Sequence, residues 1–303
     1  MTYLIGIDGG GSGVRVVVAT PDLRVVGQAS GGSANPNSAG RDAAAEAIQT
    51  AVRAALADAR LTVGEIAAGA AGVAGALTTP THNWLSQTLA PVLPDVPLWL
   101  TSDADIALTG AHGERRGVLV LSGTGSAIYG VNAAGETAVA GGWGYLLGDE
   151  GSGYWIVLHA LQAVASAADG LIPPTRLTDI IFKKLEITEA RQIVNWLYGQ
   201  FSVKMVAALA PLVLAAEDDA ASQQIIERGA AELAARAQLV MQRLEMPDAP
   251  IAFAGGLLSE SNPLSRRLCE MLGLPALPIS KYPPVMGAVI LALSSIGLKP
   301  HVD

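Results

Sequence analysis

The sequence predicts an α/β protein of two domains. Apolar stretches typical of buried strands alternate with stretches whose apolar side chains recur at helical spacing, an order that favours sheets covered by helices. The chain has 303 residues, more than one domain usually contains. Two glycine-rich loops, at residues 9–13 and 122–126, each lie between two apolar strands, and each begins one half of the chain. This repetition indicates an internal duplication.

Composition and charge restrict the class of function. Half of the residues are hydrophobic, 15% are charged, and the net charge is −8, which argues against binding to nucleic acid or to an anionic membrane. The single cysteine, Cys269, excludes an intrachain disulfide and a cysteine-cluster metal site. The first residues do not have the pattern of a signal peptide, and the apolar runs are too short to span a bilayer. We therefore expect a cytoplasmic protein.

The first glycine loop follows an apolar run that ends at Asp8, and a β-branched strand at residues 14–18 comes directly after it. The loop consists of Gly9, Gly10, Gly11, Ser12 and Gly13. Glycines accept positive φ and let backbone N–H groups approach an anion, so the loop could bind phosphate. It is neither a Walker loop nor a dinucleotide loop, because those lead into a helix. A hairpin with a glycine-rich turn is the alternative for this loop alone.

Helices and strands alternate through the rest of the first half. A polar loop surrounds Asn35, and we expect it to be non-helical at its centre because Pro36 restricts the residue before it. Periodicity then predicts a helix at 41–60, a strand at 66–74, a helix at 81–89, a strand at 96–100 and a helix at 104–111.

Asp103 stands between the last of these strands and its helix. An aspartate directly before a helix is commonly its N-cap. It could instead be a carboxylate held at the carboxyl end of a strand, where open α/β sheets place their ligands. Both interpretations stay open, since Asp105 could provide the cap.

The second half repeats the opening pattern at residues 117–132, with the loop at 122–126 between two strands. The repeat favours a phosphate-binding role for both loops over two chance hairpins. The following segment, 140–155, is rich in glycine, aromatic residues and acids, which is typical of a binding loop, with a hinge as the structural alternative.

The remaining residues of the second half are mainly helical. Helical spacing predicts helices at 155–168, 176–185, 189–198, 203–214, 220–244, 263–272 and 284–293. A short buried strand beginning at residue 249 leads into Gly255 and Gly256, where the backbone could approach a flat ligand such as a nucleobase. The four histidines are scattered, so no histidine metal site is expected.

Together these motifs resemble the superfamily of sugar kinases, heat-shock ATPases and actin. Asp8 with the first loop corresponds to its phosphate-1 element, residues 122–126 to phosphate-2, and residues 254–256 to the adenosine element. Ser-Gly-Thr-Gly-Ser at 122–126, Gly-Gly-Trp-Gly at 141–144 and Gly-Asp-Glu-Gly-Ser at 148–152 resemble the N-acetylglucosamine kinase family, within the branch of benzoyl-CoA reductase activator-type ATPases. The likeness weakens between residues 173 and 242.

The resemblance implies two actin-like, ribonuclease H-like lobes with an ATP and sugar cleft between them. The N-terminal α/β lobe would be residues 1–113, joined by the C-terminal helix 284–303. The C-terminal lobe would be residues 114–283, with a large helical insertion at about 155–245. ATP and Mg²⁺ are the implied cofactors, an amino sugar is the implied substrate, and a homodimer is the implied assembly.

The resemblance also assigns site residues. The family's sugar contacts fall on Asn35, Asp103, Ser126, Ala127, Gly142, Trp143, Gly144 and Asp149. Its ATP contacts fall on Gly9, Gly10, Gly11, Ser12 and Gly13, on Gly123, Thr124 and Gly125, and on Gly255 and Gly256. The family usually has threonine where Ser12 stands, and the hydroxyl is retained. The family's further ATP contact from the helical region has no identifiable counterpart in the sequence.

The implied reaction is ATP-dependent phosphorylation of the 6-hydroxyl of N-acetylglucosamine, in amino-sugar salvage. Asp103 would accept the proton of the hydroxyl and Asp8 would hold Mg²⁺. Asn35 and Asp149 would fix the sugar through its hydroxyl groups, and closure of the glycine-rich segment would exclude water.

Other functions are compatible with part of this pattern. Glucosamine or another hexose could be the acceptor, although one family of hexose kinases is excluded because it needs a cysteine-rich zinc motif. An ATPase activator, or switch protein, of the same branch would need cysteines for an iron–sulfur cluster, and the chain has one. A filament protein of actin type would have no use for the segment from Trp143 to Asp149.

Overall fold

The computed structural model describes residues 2–11, 13–75, 78–199 and 201–299. It divides into two compact units, of which the second is Val118–Ile279 and the first contains the described residues on both sides of it. Within the described residues, no helix is both long enough and apolar enough to span a membrane.

The elements follow one another in the α/β order that the sequence predicts. The chain begins with β1 (Tyr3–Gly9), β2 (Val14–Ala19), β3 (Val25–Gly31), α1 (Pro36–Ala39), α2 (Arg41–Ala59), β4 (Ile66–Val73), α3 (Thr79–Leu89), β5 (Leu98–Thr101) and α4 (Asp103–His112). It continues with β6 (Gly117–Ser122), β7 (Ser126–Val131), β8 (Thr137–Gly141), α5 (Gly153–Ala168), α6 (Leu177–Leu185), α7 (Gln192–Gly199), α8 (Val203–Ala207), α9 (Ala210–Ala215), α10 (Ala220–Arg243), β9 (Ile251–Ala254), α11 (Pro263–Met271) and α12 (Pro284–Ser295).

The first unit contains a five-stranded sheet in the order β3-β2-β1-β4-β5. Strands β1, β2 and β3 pair antiparallel, whereas β4 runs parallel to β1 and to β5. Successive side chains of a strand point to opposite faces of a sheet. Accordingly, Ile5 packs in the core that includes residues of α2, and Leu4 packs in the core that includes residues of α12. Because β1, β4 and β5 run parallel, their carboxyl ends meet at one edge of the sheet.

Helix α12 crosses α4 at very short range. A Cβ atom at Gly287 would lie 1.9 Å from the carbonyl oxygen of Ile106 and 2.5 Å from the backbone nitrogen of Gly110. Only glycine permits this backbone approach. The small residue thus fixes the helix pair that supports the start of α4, where Asp103 lies.

The second unit contains a four-stranded sheet in the order β8-β7-β6-β9. Strands β7 and β8 pair antiparallel, and β9 runs parallel to β6. Its core joins apolar side chains of the sheet to those of the surrounding helices, including Val120, Ile156 and Leu233. Both units thus begin with a strand, a glycine loop and a second strand, followed later by a strand parallel to the first.

The structure corrects the predicted course of the chain around Pro36 and at residues 203–214. The loop around Pro36 contains the short helix α1, because proline is well tolerated at the first position of a helix; only Asn35 has the extended backbone expected before a proline. The helix expected at 203–214 is divided into α8 and α9, and Pro211 occupies the first turn of α9, where its missing N–H costs little.

Candidate active site

The first glycine loop joins β1 to β2 in the first unit. The Gly10 N–H donates to the carbonyl of Gly13 at 3.0 Å, and the Gly10 carbonyl accepts from the Ala34 N–H at 3.1 Å. The Gly9 carbonyl accepts from the Ala74 N–H at 3.0 Å. The loop is thereby tied to the segments that follow β3 and β4. Ser12, a predicted ATP contact, lies outside the described residues.

The carboxyl groups of Asp8 and Asp103 both have raised pKa values. Burial raises the pKa of Asp8 from 3.8 to about 6, the Arg15 guanidinium opposes that rise, and the Asp103 carboxylate adds to it. Burial also raises the pKa of Asp103, against hydrogen bonds from the Ala104 N–H and its own backbone N–H. Two carboxylates at the carboxyl edge of one sheet thus have raised pKa values, which is typical of functional sites.

Asp103 is not the N-cap of its helix. The cap is Ser102, whose Oγ accepts the Asp105 N–H at 3.2 Å, while Asp103 is the first helical residue. The Asp103 carboxylate accepts the Ala104 N–H at 3.0 Å. Both capping interpretations of the sequence, through Asp103 and through Asp105, are therefore wrong.

Asp105 instead anchors the start of α4. Its side chain is completely buried, accepts the Thr101 hydroxyl at 2.7 Å, and pairs with the Arg115 Nε at 2.9 Å. The Arg115 guanidinium lies over the Trp99 ring at 5.5 Å. A buried, paired and hydrogen-bonded carboxylate holds the end of β5 and the first turn of α4 in one arrangement.

Asn35 lies in the segment that touches the first loop. Its Oδ1 accepts the Asn37 N–H at 2.9 Å and caps α1. The cap uses the Oδ1 acceptor, and the Nδ2 group of the same amide is a donor.

A cavity of about 380 Å³ borders the first loop. Its lining consists of Asp8, Gly10, Gly13, Val14, Arg15, Ser30 and Gly31. Arg15 stands directly opposite Asp8 in the β1–β2 ladder, so both side chains lie on one face of the sheet. The cavity combines a carboxylate, a guanidinium and backbone amides of glycine, a set suited to a metal–phosphate group.

The second glycine loop, in the second unit, is closed by the Gly123 N–H donating to the Gly125 carbonyl at 2.9 Å. The Ser122 hydroxyl donates to the Gly151 carbonyl and the Ser126 hydroxyl to the Glu150 carbonyl, each at 2.8 Å. Both hydroxyl groups thus hold the segment that was predicted to bind the sugar. Thr124, at the tip of the loop, is exposed.

The turn after β9 packs against this second loop. Gly255 has a φ of +88°, and a Cβ atom there would lie 2.2 Å from the Ser122 carbonyl oxygen. The Leu257 N–H donates to that same carbonyl at 3.1 Å. The structure therefore brings the predicted phosphate-2 and adenosine elements together within one unit.

A cavity of about 340 Å³ lies where these two elements meet. Its lining consists of Gly123, Thr124, Lys204, Ala207, Ala208, Pro211, Gly256 and Leu257. A second cavity of about 310 Å³ shares Pro211, Gly256 and Leu257 with the first and adds polar residues such as Asn262 and Arg266. Adjacent apolar and polar compartments beside a glycine loop match the parts of a nucleotide.

The predicted sugar contacts of the second unit surround Asp149. Its Oδ1 accepts the Gly144 N–H at 3.2 Å, and burial raises its pKa while the N–H groups of Gly144 and Ser126 oppose the rise. A Cβ atom at Gly125 would lie 2.6 Å from Asp149 Oδ2. The Gly142 N–H donates to the Ser126 carbonyl at 3.0 Å, and Gly142 lies beside the Ala127 methyl group. Trp143 in the same segment is 74% exposed.

Two positively charged side chains near these cavities, Arg15 and Lys204, were not predicted from the sequence. Arg15 interrupts the β-branched run of β2, and its charge within an apolar strand was the available signal. Lys204 lies on the short helix α8, and no spacing in the sequence relates it to the loop at 123–125. Only the tertiary fold places it beside that loop.

Among the described residues, no group of three or more histidine, cysteine, aspartate or glutamate side chains is arranged to hold a metal ion. Magnesium in phosphate-transferring sites usually takes one or two carboxylates, with substrate phosphates and water completing the shell. Asp8, with its raised pKa and its place in the cavity of the first loop, fits that limited requirement.

Comparison with known proteins shows the family to which the chain belongs. A model of the BadF/BadG/BcrA/BcrD ATPase family matches residues 5–292. The chain is 32% identical to an N-acetylmuramic acid/N-acetylglucosamine kinase of Clostridium acetobutylicum, over 97% of this chain and 99% of that protein. It is 29% identical to an N-acetyl-D-glucosamine kinase of Dictyostelium discoideum, over 96% and 98% of the two chains.

Among solved structures, the chain is similar to a provisionally named N-acetylglucosamine kinase of Chromobacterium violaceum. The TM-score is 0.75 and the identity 28%, over 95% of this chain and 98% of that one. These comparisons confirm the resemblance and the fold class that the sequence predicts.

Proposed function

The chain belongs to the BadF/BadG/BcrA/BcrD ATPase family, and from this premise we propose that it is an ATP-dependent kinase that phosphorylates the 6-hydroxyl of N-acetylglucosamine. The names of the relatives support an amino-sugar kinase. The raised pKa values of Asp8 and Asp103, at one sheet edge beside the first glycine loop, are the observation that carries the proposal to this chain's own residues.

Asp103 is the general base. It takes the proton of the sugar 6-hydroxyl as the oxygen attacks the γ-phosphorus of ATP, and the bond from that phosphorus to the β,γ-bridging oxygen breaks to release ADP. Burial raises the pKa of Asp103, and a carboxylate with a raised pKa is a stronger base than one in water. The paired Asp105 and Arg115 keep the first turn of α4, and hence Asp103, in place.

Each unit, taken by itself, offers donors to a phosphate group. In the first unit these are the loop amides and Arg15, and in the second unit the loop at 123–125, Thr124 and Lys204. Asp8 would hold Mg²⁺, which when bound would neutralise part of the phosphate charge. Phosphoryl transfer depends chiefly on such positioning and electrostatic stabilisation.

The nucleotide occupies the second unit's adjoining cavities. The phosphates lie against Gly123–Gly125, and the ribose and adenine lie along Gly256, Pro211 and Leu257. The residues of the first unit that we assign to sugar recognition are Asn35 and Asp103. In the second unit we assign Asp149 and the backbone of residues 142–144 to the same role.

Sugar-dependent release of ADP tests the function. We expect purified protein to release ADP with N-acetylglucosamine, more slowly with glucosamine, N-acetylmannosamine or glucose, and very slowly without sugar. Mass spectrometry and ³¹P NMR of the product would identify the phosphorylated hydroxyl. Equal release with and without every sugar would contradict the kinase proposal and favour an ATPase switch.

The acceptor could also be glucosamine or another hexose, and the same sugar panel decides between them. The cytoplasmic location, the homodimer and the absence of a nucleic-acid partner stay predictions from the sequence.

A further inference from the structure

One face of α10 packs against the loop that follows the predicted sugar-binding segment. A Cβ atom at Gly151 would lie 2.7 Å from both the Gly229 carbonyl oxygen and the Leu233 Cγ. Gly151 also has a φ of +77°, which favours glycine. Residues 229, 233 and 236 are spaced by four and three positions, so they share a face of the helix.

Arg236, on that face, pairs with one end of the segment from 141 to 150 and lies near the other end. Its Nη2 pairs with the Glu150 Oε2 at 2.8 Å. A Cβ atom at Gly141 would lie 3.5 Å from the Arg236 Cδ, so the stem of the side chain passes beside the other end. The Arg236 side chain is therefore paired with the residue that ends the segment and lies beside the residue that begins it.

The guanidinium of Arg236 is itself held by α10. Its Nη1 donates to the Glu232 Oε2 at 2.5 Å and to the Glu232 carbonyl at 2.9 Å. About three-quarters of the Arg236 side chain is shielded, at 23% relative exposure, and so is the Glu150 side chain, at 28%. The pair is less exposed to screening by salt than a typical surface ion pair.

Between these ends the segment is held by its own turns and by hydrogen bonds to the second glycine loop. It has no regular secondary structure from Gly142 to Ser152, and Trp143, Leu146 and Leu147 are 74%, 79% and 79% exposed. Asp149 has a φ of +59°, a conformation that a non-glycine residue keeps only when its surroundings hold it. Asp149 is held by the Gly144 N–H on its Oδ1 and by the Ser152 N–H on its carbonyl. Its neighbour Glu150 is fixed in turn, through its carbonyl to Ser126 and through its side chain to Arg236.

We propose that Arg236 is a positioning residue for the sugar: by pairing with Glu150 beside Gly141, it keeps Asp149 and the backbone of residues 142–144 in the arrangement that binds the acceptor. This inference rests on the proposed kinase function. Arg236 acts through Glu150 and belongs to neither the nucleotide cavity nor the phosphate loops.

Kinetics with both substrates test the proposal. For Arg236→Ala we expect KM for N-acetylglucosamine to rise about tenfold or more, since slight misplacement of binding groups is costly, with KM for ATP unchanged within about twofold. Arg236→Lys, which keeps the charge, should recover part of the loss. The control is Arg267→Ala, which breaks exposed ion pairs with Glu227 and Glu270 elsewhere in the same unit and should change neither constant.

Hydrogen–deuterium exchange supplies a readout that needs no turnover. Amides of residues 142–149 should exchange faster in Arg236→Ala than in the wild-type protein, and at the wild-type rate in Arg267→Ala. An unchanged exchange rate, or equal increases in KM for the sugar and for ATP, would overturn the positioning role. If the wild-type protein shows no sugar-dependent ADP release, the kinase proposal fails, and with it the sugar-positioning role that rests on it. The exchange data then report only whether Arg236 orders the segment.

Discussion

Replacing Asp8 with asparagine should stabilise the protein at neutral pH while impairing its activity. Asp8 is the acid whose pKa is raised from 3.8 to about 6, mainly by burial. One pKa unit corresponds to about 1.4 kcal/mol, so ionised Asp8 lowers the free energy of unfolding by up to about 3 kcal/mol. The figure is an upper bound because part of the carboxylate is in contact with water, which screens its interactions.

The sign of the pH dependence follows from the raised pKa. Between pH 3.8 and about 6 the folded protein binds more protons at Asp8 than the unfolded chain does. Stability contributed by this group therefore falls as the pH rises through that interval, and the loss is complete above it. An asparagine side chain does not titrate, so the advantage of Asp8→Asn should be absent below the interval and full above it.

Urea unfolding of both proteins at about pH 4 and about pH 7.5 measures this difference. Asp22→Asn is the control, because a hydrogen bond from Thr20 lowers the pKa of that exposed carboxyl and the variant should gain nothing at neutral pH. A stability difference between Asp8→Asn and the wild-type protein that is the same at both pH values would refute the reasoning. So would a variant less stable than the wild type at about pH 7.5.

Three further predictions concern the active site. Asp103→Asn should lower kcat by about 10²–10⁴-fold with KM for ATP nearly unchanged, since the base is lost; near-normal ADP release in the coupled assay would remove Asp103 from the mechanism. Gly255→Ala should lower the free energy of unfolding by about 2–5 kcal/mol, because its Cβ meets the Ser122 carbonyl and its φ is left-handed. Thermal unfolding of Gly255→Ala is compared with that of Gly256→Ala, where an added Cβ would meet nothing within 4 Å. Equal melting temperatures of the two variants would contradict the prediction. Lys204→Ala should raise KM for ATP about tenfold, as expected for the loss of one charge-assisted contact, and should leave KM for the sugar unchanged. The reverse pattern in steady-state kinetics would show that Lys204 does not contact the nucleotide.

The strand–loop–strand units could be predicted because their signals are local. Apolar runs interrupted by glycine specify a strand and a turn without reference to the rest of the chain. The cap of α4 could not be predicted, because Ser102, Asp103 and Asp105 are all residue types that cap helices, and the choice depends on which backbone N–H each side chain reaches. Pro36 was compatible with either a loop or a helix start.

Only those residues of the candidate site that lie in recognisable motifs could be predicted from the sequence. Asp149 and Gly255 lie in motifs whose composition is unusual, and the structure places them beside the second loop. Arg15 and Lys204 lie in a strand and a helix of ordinary composition, and their relation to the loops arises from strand register and helix packing. The roles of all these residues are proposals, and the variants above test those of Asp103, Gly255 and Lys204.

The position of α12 has a consequence for biosynthesis. This helix covers one face of the first unit's sheet, where Leu4, Ala68 and Ala70 pack with its side chains, yet it is encoded after the whole of the second unit. During translation the second unit can complete its core first, because all its strands and helices emerge before residue 284. The first unit is synthesised earlier, but one apolar face of its sheet stays uncovered until α12 emerges. We therefore expect chaperones to retain ribosome-bound chains that are stopped before α12.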